Sequence, residues 1–129
     1  AAHLNTTFEF RLQSLTSPDL PSSDMLLCKD ALQHLSNSVV KTILQNILPK
    51  TQKGVQICKF KYIILTNDAT RGNNKDLPRV TGYRHIKLEL PPFNLTDIKE
   101  VLNFAPEHPQ KKTYLLDLTH PKWRCNFMT

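Results

Sequence analysis

Glycine is scarce in this chain: Gly54, Gly72 and Gly82 are all there are in 129 residues, and they lie far apart. A P-loop or a dinucleotide fingerprint needs several glycines in one turn, so that the backbone can close on anionic oxygens; both are excluded. Long apolar runs are missing as well. No stretch approaches the roughly 20 residues of a membrane span, and no signal-peptide core is present, so no membrane contact is expected. Cysteine is sparse and odd in number: Cys28, Cys58 and Cys125. Small secreted scaffolds usually carry even sets. Cys28 and Cys58 sit inside apolar patterns, where a free cysteine acts as a small hydrophobe. These features predict an intracellular protein of cytoplasm or nucleus. The alternative is extracellular, carried by two glycosylation acceptors, Asn5-Thr6-Thr7 and Asn94-Leu95-Thr96.

What is present fits one globular domain over residues 1–129. Hydrophobic residues make up 40% of the chain, and nine prolines punctuate it. The first residues, Ala1-Ala2-His3, lack a methionine and the last stretch is apolar, which reads as a domain cut from a longer protein. Residues 7–13 alternate, with Phe8, Phe10 and Leu12 on one side, and predict a strand. Cys28, Leu32, Leu35, Val39, Ile43 and Ile47 recur at the helix period and predict one long helix over 24–48, capped by Ser23 and stopped by Pro49. Ser36-Asn37-Ser38 in its middle are poor helix formers and mark a break or kink. Residues 55–66 and 83–90 alternate as strands, with the polar segment 67–79 a mobile loop between them. Leu95, Ile98, Val101 and Leu102 predict a short helix from Asn94 or Thr96 to Pro106, and 113–119 a last strand.

The resulting order, β-α-β-β-α-β, is the ferredoxin-like α+β arrangement: a four-stranded antiparallel sheet with two helices on one face. The runner-up is an α+β domain in which the long helix packs differently or is two helices.

Net charge is +6, and it is concentrated. Residues 41–90 hold ten basic against three acidic groups, whereas the flanking segments nearly cancel. In a ferredoxin-like order Arg11, Lys59, Lys61 and Lys87 would point to the open sheet face, with Arg71, Lys75 and Arg79 on the hairpin loop beside it. Several cations on one face attract a phosphate backbone or an acidic protein. The segment Thr81-Gly82-Tyr83-Arg84-His85-Ile86-Lys87-Leu88 resembles the third-strand motif of the RNA-recognition-motif family through Gly82, Tyr83 and Ile86. That resemblance implies binding of RNA or single-stranded nucleic acid on the sheet, with Tyr83 and His85 as stacking side chains.

No chemistry-bearing constellation emerges. His108, His120 and Cys125 match no zinc spacing, and a closed site needs a fourth ligand. No nucleophile elbow or paired-carboxylate arrangement is present, so no catalytic residue, metal or cofactor is assigned. Trp123 suits either a core cap or an interface anchor. The sequence therefore predicts a non-enzymatic adaptor domain, docking a protein partner through a basic sheet face. Nucleic-acid binding is the alternative, and a second copy of the chain is a further partner.

Overall fold

A computed structural model describes residues 7–69, 73–104 and 110–128. The main sheet has four strands: β1 (Ser23–Lys29), β4 (Phe60–Asp68), β5 (Lys99–Phe104) and β6 (Lys111–Asp117). Their spatial order is β1-β4-β6-β5. β1 runs parallel to β4, and β6 is antiparallel to both β4 and β5. A parallel pair needs a long crossover. Here it contains α1 (Asn37–Ile47) and the hairpin of β2 (Lys50–Gln52) and β3 (Val55–Cys58). In that hairpin both turn residues, Lys53 and Gly54, have positive φ, the geometry that matches strand twist. A second sheet, β2-β3-β7, is completed by β7 (Cys125–Phe127), parallel to β3.

The ferredoxin-like expectation is therefore overturned. The main sheet is mixed, a second sheet exists, and the described residues contain one α-helix. The long helix over 24–48 is three elements: β1, a 3-10 turn over Leu32–His34, and α1. Cys28, Leu32 and Leu35 hold helical spacing by coincidence. Leu26 and Cys28 instead pair across to Ile63 and Leu65 in a strand register. A short apolar run such as Met25-Leu26-Leu27-Cys28 reads equally well as strand or buried helix. The marked break is where the helix begins: Ser36 caps it, its Oγ accepting from Val39 N at 3.5 Å. Val40, Ile43, Leu44 and Ile47 form its buried stripe.

Four further expectations change. Residues 7–13 form no strand, and Phe10 and Leu12 are 94% and 108% exposed; alternation without a neighbouring ladder does not make a sheet. The 55–66 strand divides at Lys59 into β3 and β4, which belong to different sheets. The 83–90 segment joins no ladder and ends in a turn, where Leu90 N donates to Lys87 O at 3.2 Å. Its amides are spent outside any ladder: Arg84 N donates to Gln33 O in the 3-10 turn and Ile86 N to Asp68 O at the end of β4. Ile86 and Leu88 nonetheless point into the core, as the alternation requires. The predicted second helix is instead edge strand β5. Asn94 and Asp97, where it would start, have φ of +48° and +61°, outside the right-handed helical region.

The core lies between α1 and one face of the main sheet. Ile63, Leu65 and Leu116 from the sheet meet Val40, Ile43 and Ile47 from the helix, and Leu32, Ile86 and Leu88 close the side. The segment expected as a mobile loop over 67–79 is anchored where it is described. Asn67 and Asp68 belong to β4, and the buried Asn74 amide donates to the carbonyls of Lys87, Leu90 and Pro91 while its Oδ1 accepts from Lys87 N at 2.7 Å. Cys28 is free and buried, as expected, but Cys58 is not a free hydrophobe: it is bonded to Cys125, with a Cα–Cα distance of 5.6 Å.

Candidate docking face and its polar rim

The helix covers one face of the main sheet and leaves the other open. Strand alternation sets what that outer face carries. Register aligns it in rows. Met25, Tyr62 and Asp117 form the first; Leu27, Ile64, Leu115 and Lys99 the second; Lys29, Thr66, Thr113 and Leu102 the third. Leu27 is 65% exposed, Leu102 53% and Met25 51%. The two central threonines are buried between taller neighbours and share a hydroxyl hydrogen bond of 2.9 Å. The face is thus apolar at its centre, with Lys29 at the β1 edge and Lys99 at the β5 edge.

At one end of the face lies a hollow of about 240 Å³. Leu115 and Lys99 continue into it, and Trp123 and His120 form its far wall. Trp123 is half-buried: it packs on the core cluster, as the core-cap reading expects, and also lines this hollow. Lys122 Nζ stands 5.8 Å from the ring centre and donates to Asp97 Oδ1 at 2.8 Å.

At the other end lies a polar rim. The parallel strands β1 and β4 finish side by side, which brings Asp30 and Asp68 together. Lys111, opening β6, donates 2.8 Å hydrogen bonds to one oxygen of each. Tyr83 OH donates to the other oxygen of Asp68 at 2.5 Å, and Gln33 Oε1 accepts from the Asp68 amide at 2.7 Å. The Tyr83 ring meets those of His34 and His85, with centroids 5.6 and 5.9 Å away. Burial pushes the Asp68 carboxyl up, but the Lys111 and Tyr83 hydrogen bonds outweigh it and hold the group below its ordinary value. Lys111 is raised, chiefly by its bond to Asp30 and then by Asp68; Tyr83 is raised chiefly by donating to Asp68. All three shifts keep the charges and protons where they already are at neutral pH. The rim is a clamp that fastens the strand ends, and among the described residues no group of three or more His, Cys, Asp or Glu could hold a metal ion.

The clamp makes stability depend on acid. Asp68 has a lower carboxyl pKa folded than unfolded, so its contribution is complete above the unfolded value, near pH 4, and is lost as pH falls through the folded value. In acid titrations of unfolding free energy, Asp68→Asn is expected to flatten the loss below pH 4. A variant as acid-sensitive as the parent would show that Asp68 is not the responsible group.

The basic residues singled out from the sequence are dispersed. Arg11 lies off the sheet and pairs with Glu9 at 2.6 Å. Lys59 occupies the break between β3 and β4 and donates to Pro18 O at 3.0 Å. Lys61 alternates with Ile63 on the helix side of the sheet and pairs with Asp24 at 3.2 Å. Lys87 is half-buried in the ladderless segment, while Lys75 and Arg79 are exposed on the preceding loop. Arg71 lies outside the described residues, as does His108. Only Tyr83 and His85 are brought together, against the polar rim. Met25, Leu27, Leu102 and Leu115 were not singled out. The signal for the first two was present, since Met25, Leu27 and Lys29 alternate with Leu26 and Cys28, but the helical reading of that stretch hid it. No family model, curated protein or solved structure matches the chain.

Proposed function

We propose that this chain is a non-enzymatic protein-interaction domain, which docks a partner on the outer face of its main sheet. The observation that carries this reading is the uncovered apolar band of Met25, Leu27, Ile64, Leu115 and Leu102. Contiguous exposed apolar side chains on a soluble domain mark interaction sites, because covering them releases water at roughly 25 cal/mol per Å². The partner surface it fits is apolar at its centre, with acidic groups placed to meet Lys29 and Lys99 at the edges. Basic residues serve here as a rim, not as the docking surface itself. The nucleic-acid alternative has less to stand on, since Arg11, Lys59 and Lys61 are engaged within the chain and point in different directions.

A photo-cross-linking side chain placed at Leu27 is expected to give a discrete adduct in an extract of the source cells, whereas one at Lys41 on the helix gives none. Labelling from both positions, or from neither, would reject the face. Leu27→Asp is expected to weaken binding of the partner so identified at least tenfold, about 1.4 kcal/mol. An adduct of twice the chain mass would identify the partner as a second copy. Oligonucleotide binding that survives Leu27→Asp and is lost on Lys59→Glu plus Lys61→Glu would favour the nucleic-acid alternative instead.

A further inference from the structure

The docking face leaves the opposite side of the molecule unexplained, and there the chain presents a built acceptor motif. The segment Asn94-Leu95-Thr96 lies in the loop leading to β5. Leu95 is partly buried against the core, and its amide donates to Leu88 O at 2.8 Å. Asn94 and Thr96, on either side of it, are both exposed. The two groups that an N-glycosylation acceptor requires, an asparagine amide and a hydroxyl two residues on, therefore lie at the surface, the Thr96 hydroxyl donating to Asp97 Oδ2 at 3.4 Å, while the residue between them anchors the loop. Asn94 takes a left-handed backbone, φ +48°, which asparagine tolerates better than most residues, so the position suits it without needing its side chain. Phe93 and Leu95 line a groove of about 560 Å³ against Leu44 of α1 and Leu48 just beyond its end. A glycan at Asn94 would rise from the rim of that groove, on the helix side of the sheet, and leave the docking face clear.

An independent observation concerns the compartment. Cys58 and Cys125 are bonded across 67 residues, and such bonds persist in oxidising compartments and rarely in the cytosol. The remaining thiol, Cys28, is buried. One closed pair and one shielded thiol answer the odd count that favoured an intracellular reading.

We infer that Asn94 is the attachment point of an N-linked glycan, in a chain that matures in an oxidising compartment. The donor is a lipid-pyrophosphate-linked oligosaccharide. The Asn94 side-chain nitrogen forms a bond to the anomeric carbon, and the bond from that carbon to the pyrophosphate oxygen breaks. The lipid pyrophosphate leaves with the electron pair, and the amide gives up one proton.

The test uses the protein isolated from its source cells. Peptide-N-glycosidase in heavy-oxygen water is expected to convert Asn94 to labelled aspartate, and alkylation of the denatured, unreduced chain is expected to modify one cysteine only. An unlabelled Asn94 overturns the glycan, and three alkylated cysteines overturn the compartment. Thr96→Ala is expected to abolish the label while leaving the melting temperature nearly unchanged, since Thr96 is exposed and its side-chain hydrogen bond, to Asp97, is long and at the surface. Labelling that persists in that variant also overturns the assignment. The outcome is independent of the docking face, because no residue of that face takes part.

Discussion

Removing the disulfide, by Cys58→Ala together with Cys125→Ala, is expected to lower the unfolding free energy by about 3–4 kcal/mol. The bond closes a loop with a sequence separation of 67. Chain-entropy arguments put the stabilisation from such a closure at roughly 4 kcal/mol, because the open unfolded chain has far more conformations to lose. Local structure can replace little of this. β7 is three residues long and pairs with β3 alone, and Asn126 at its centre is exposed. Against a typical total of about 5–15 kcal/mol, the loss is large. Urea unfolding checks it. The variant midpoint should fall, and the slope should rise, because the unlinked chain exposes more surface when it unfolds. A loss below about 1 kcal/mol would show that the second sheet holds itself together without the bond.

The other large effect is expected at Arg84. This side chain is buried, and its guanidinium ties the entry to α1 to the loop before residue 84 through three acceptors. Nη1 donates to Asn37 Oδ1 at 2.6 Å and to Lys75 O at 3.2 Å, and Nη2 donates to Leu35 O at 2.8 Å. The cation also stands 6.0 Å from the centre of the Phe93 ring. Arg84→Ala would leave part-buried acceptors on the entry to α1 and on the 73–80 loop without their donor, each costing up to about 1–3 kcal/mol. The sum expected is about 3–5 kcal/mol, tempered by water entering the vacated space. Arg84→Lys keeps the charge but cannot reproduce the planar fork, so it should restore less than half of the loss. Denaturant unfolding gives the magnitude, and hydrogen exchange gives the address. Faster exchange at Asn37, whose amide donates to Asp76 Oδ1, would tie the loss to the helix entry. Lysine performing as well as arginine would show that charge alone, not geometry, matters there.

Arg84 also shows how far the sequence could be followed. In the motif resemblance it stands between Tyr83 and Ile86 and is not one of the residues that carry the match. The structure gives it a structural task instead, and the neighbouring Ile86 and Leu88 point inward as their alternation requires. β4 was legible because its run is long and carries β-branched and aromatic residues, and β6 because a short apolar run with a tyrosine is stopped by a proline soon after. The helix was legible only in its second half. Val39 to Ile47 has helical periodicity with a serine cap, whereas Met25 to Cys28 is too short for its period to decide anything. β5 was missed for a different reason: Ile98, Val101 and Leu102 fit a helical stripe, and only the left-handed Asn94 and Asp97 forbid it. Pairing of the two sheets was invisible, since nothing local records that β3 and β4, separated by Lys59 alone, turn to different partners. The outer face shared that fate. Its members come from four strands, and their adjacency exists only through register.

The position of Cys58 has a mechanical consequence. It is the last residue of β3, and after Lys59 the chain enters β4, which lies between β1 and β6 in the main sheet. A pull on the C-terminal strand can peel Phe127 and Asn126 from β3, but it is caught at Cys125. It passes through the Cys125–Cys58 bond, across one residue, and loads β4 along its length, against hydrogen bonds on both sides. The smaller sheet becomes a strain-relief fitting: its short ladder can give way without freeing the chain end, and the remaining load falls on a strand held from both sides.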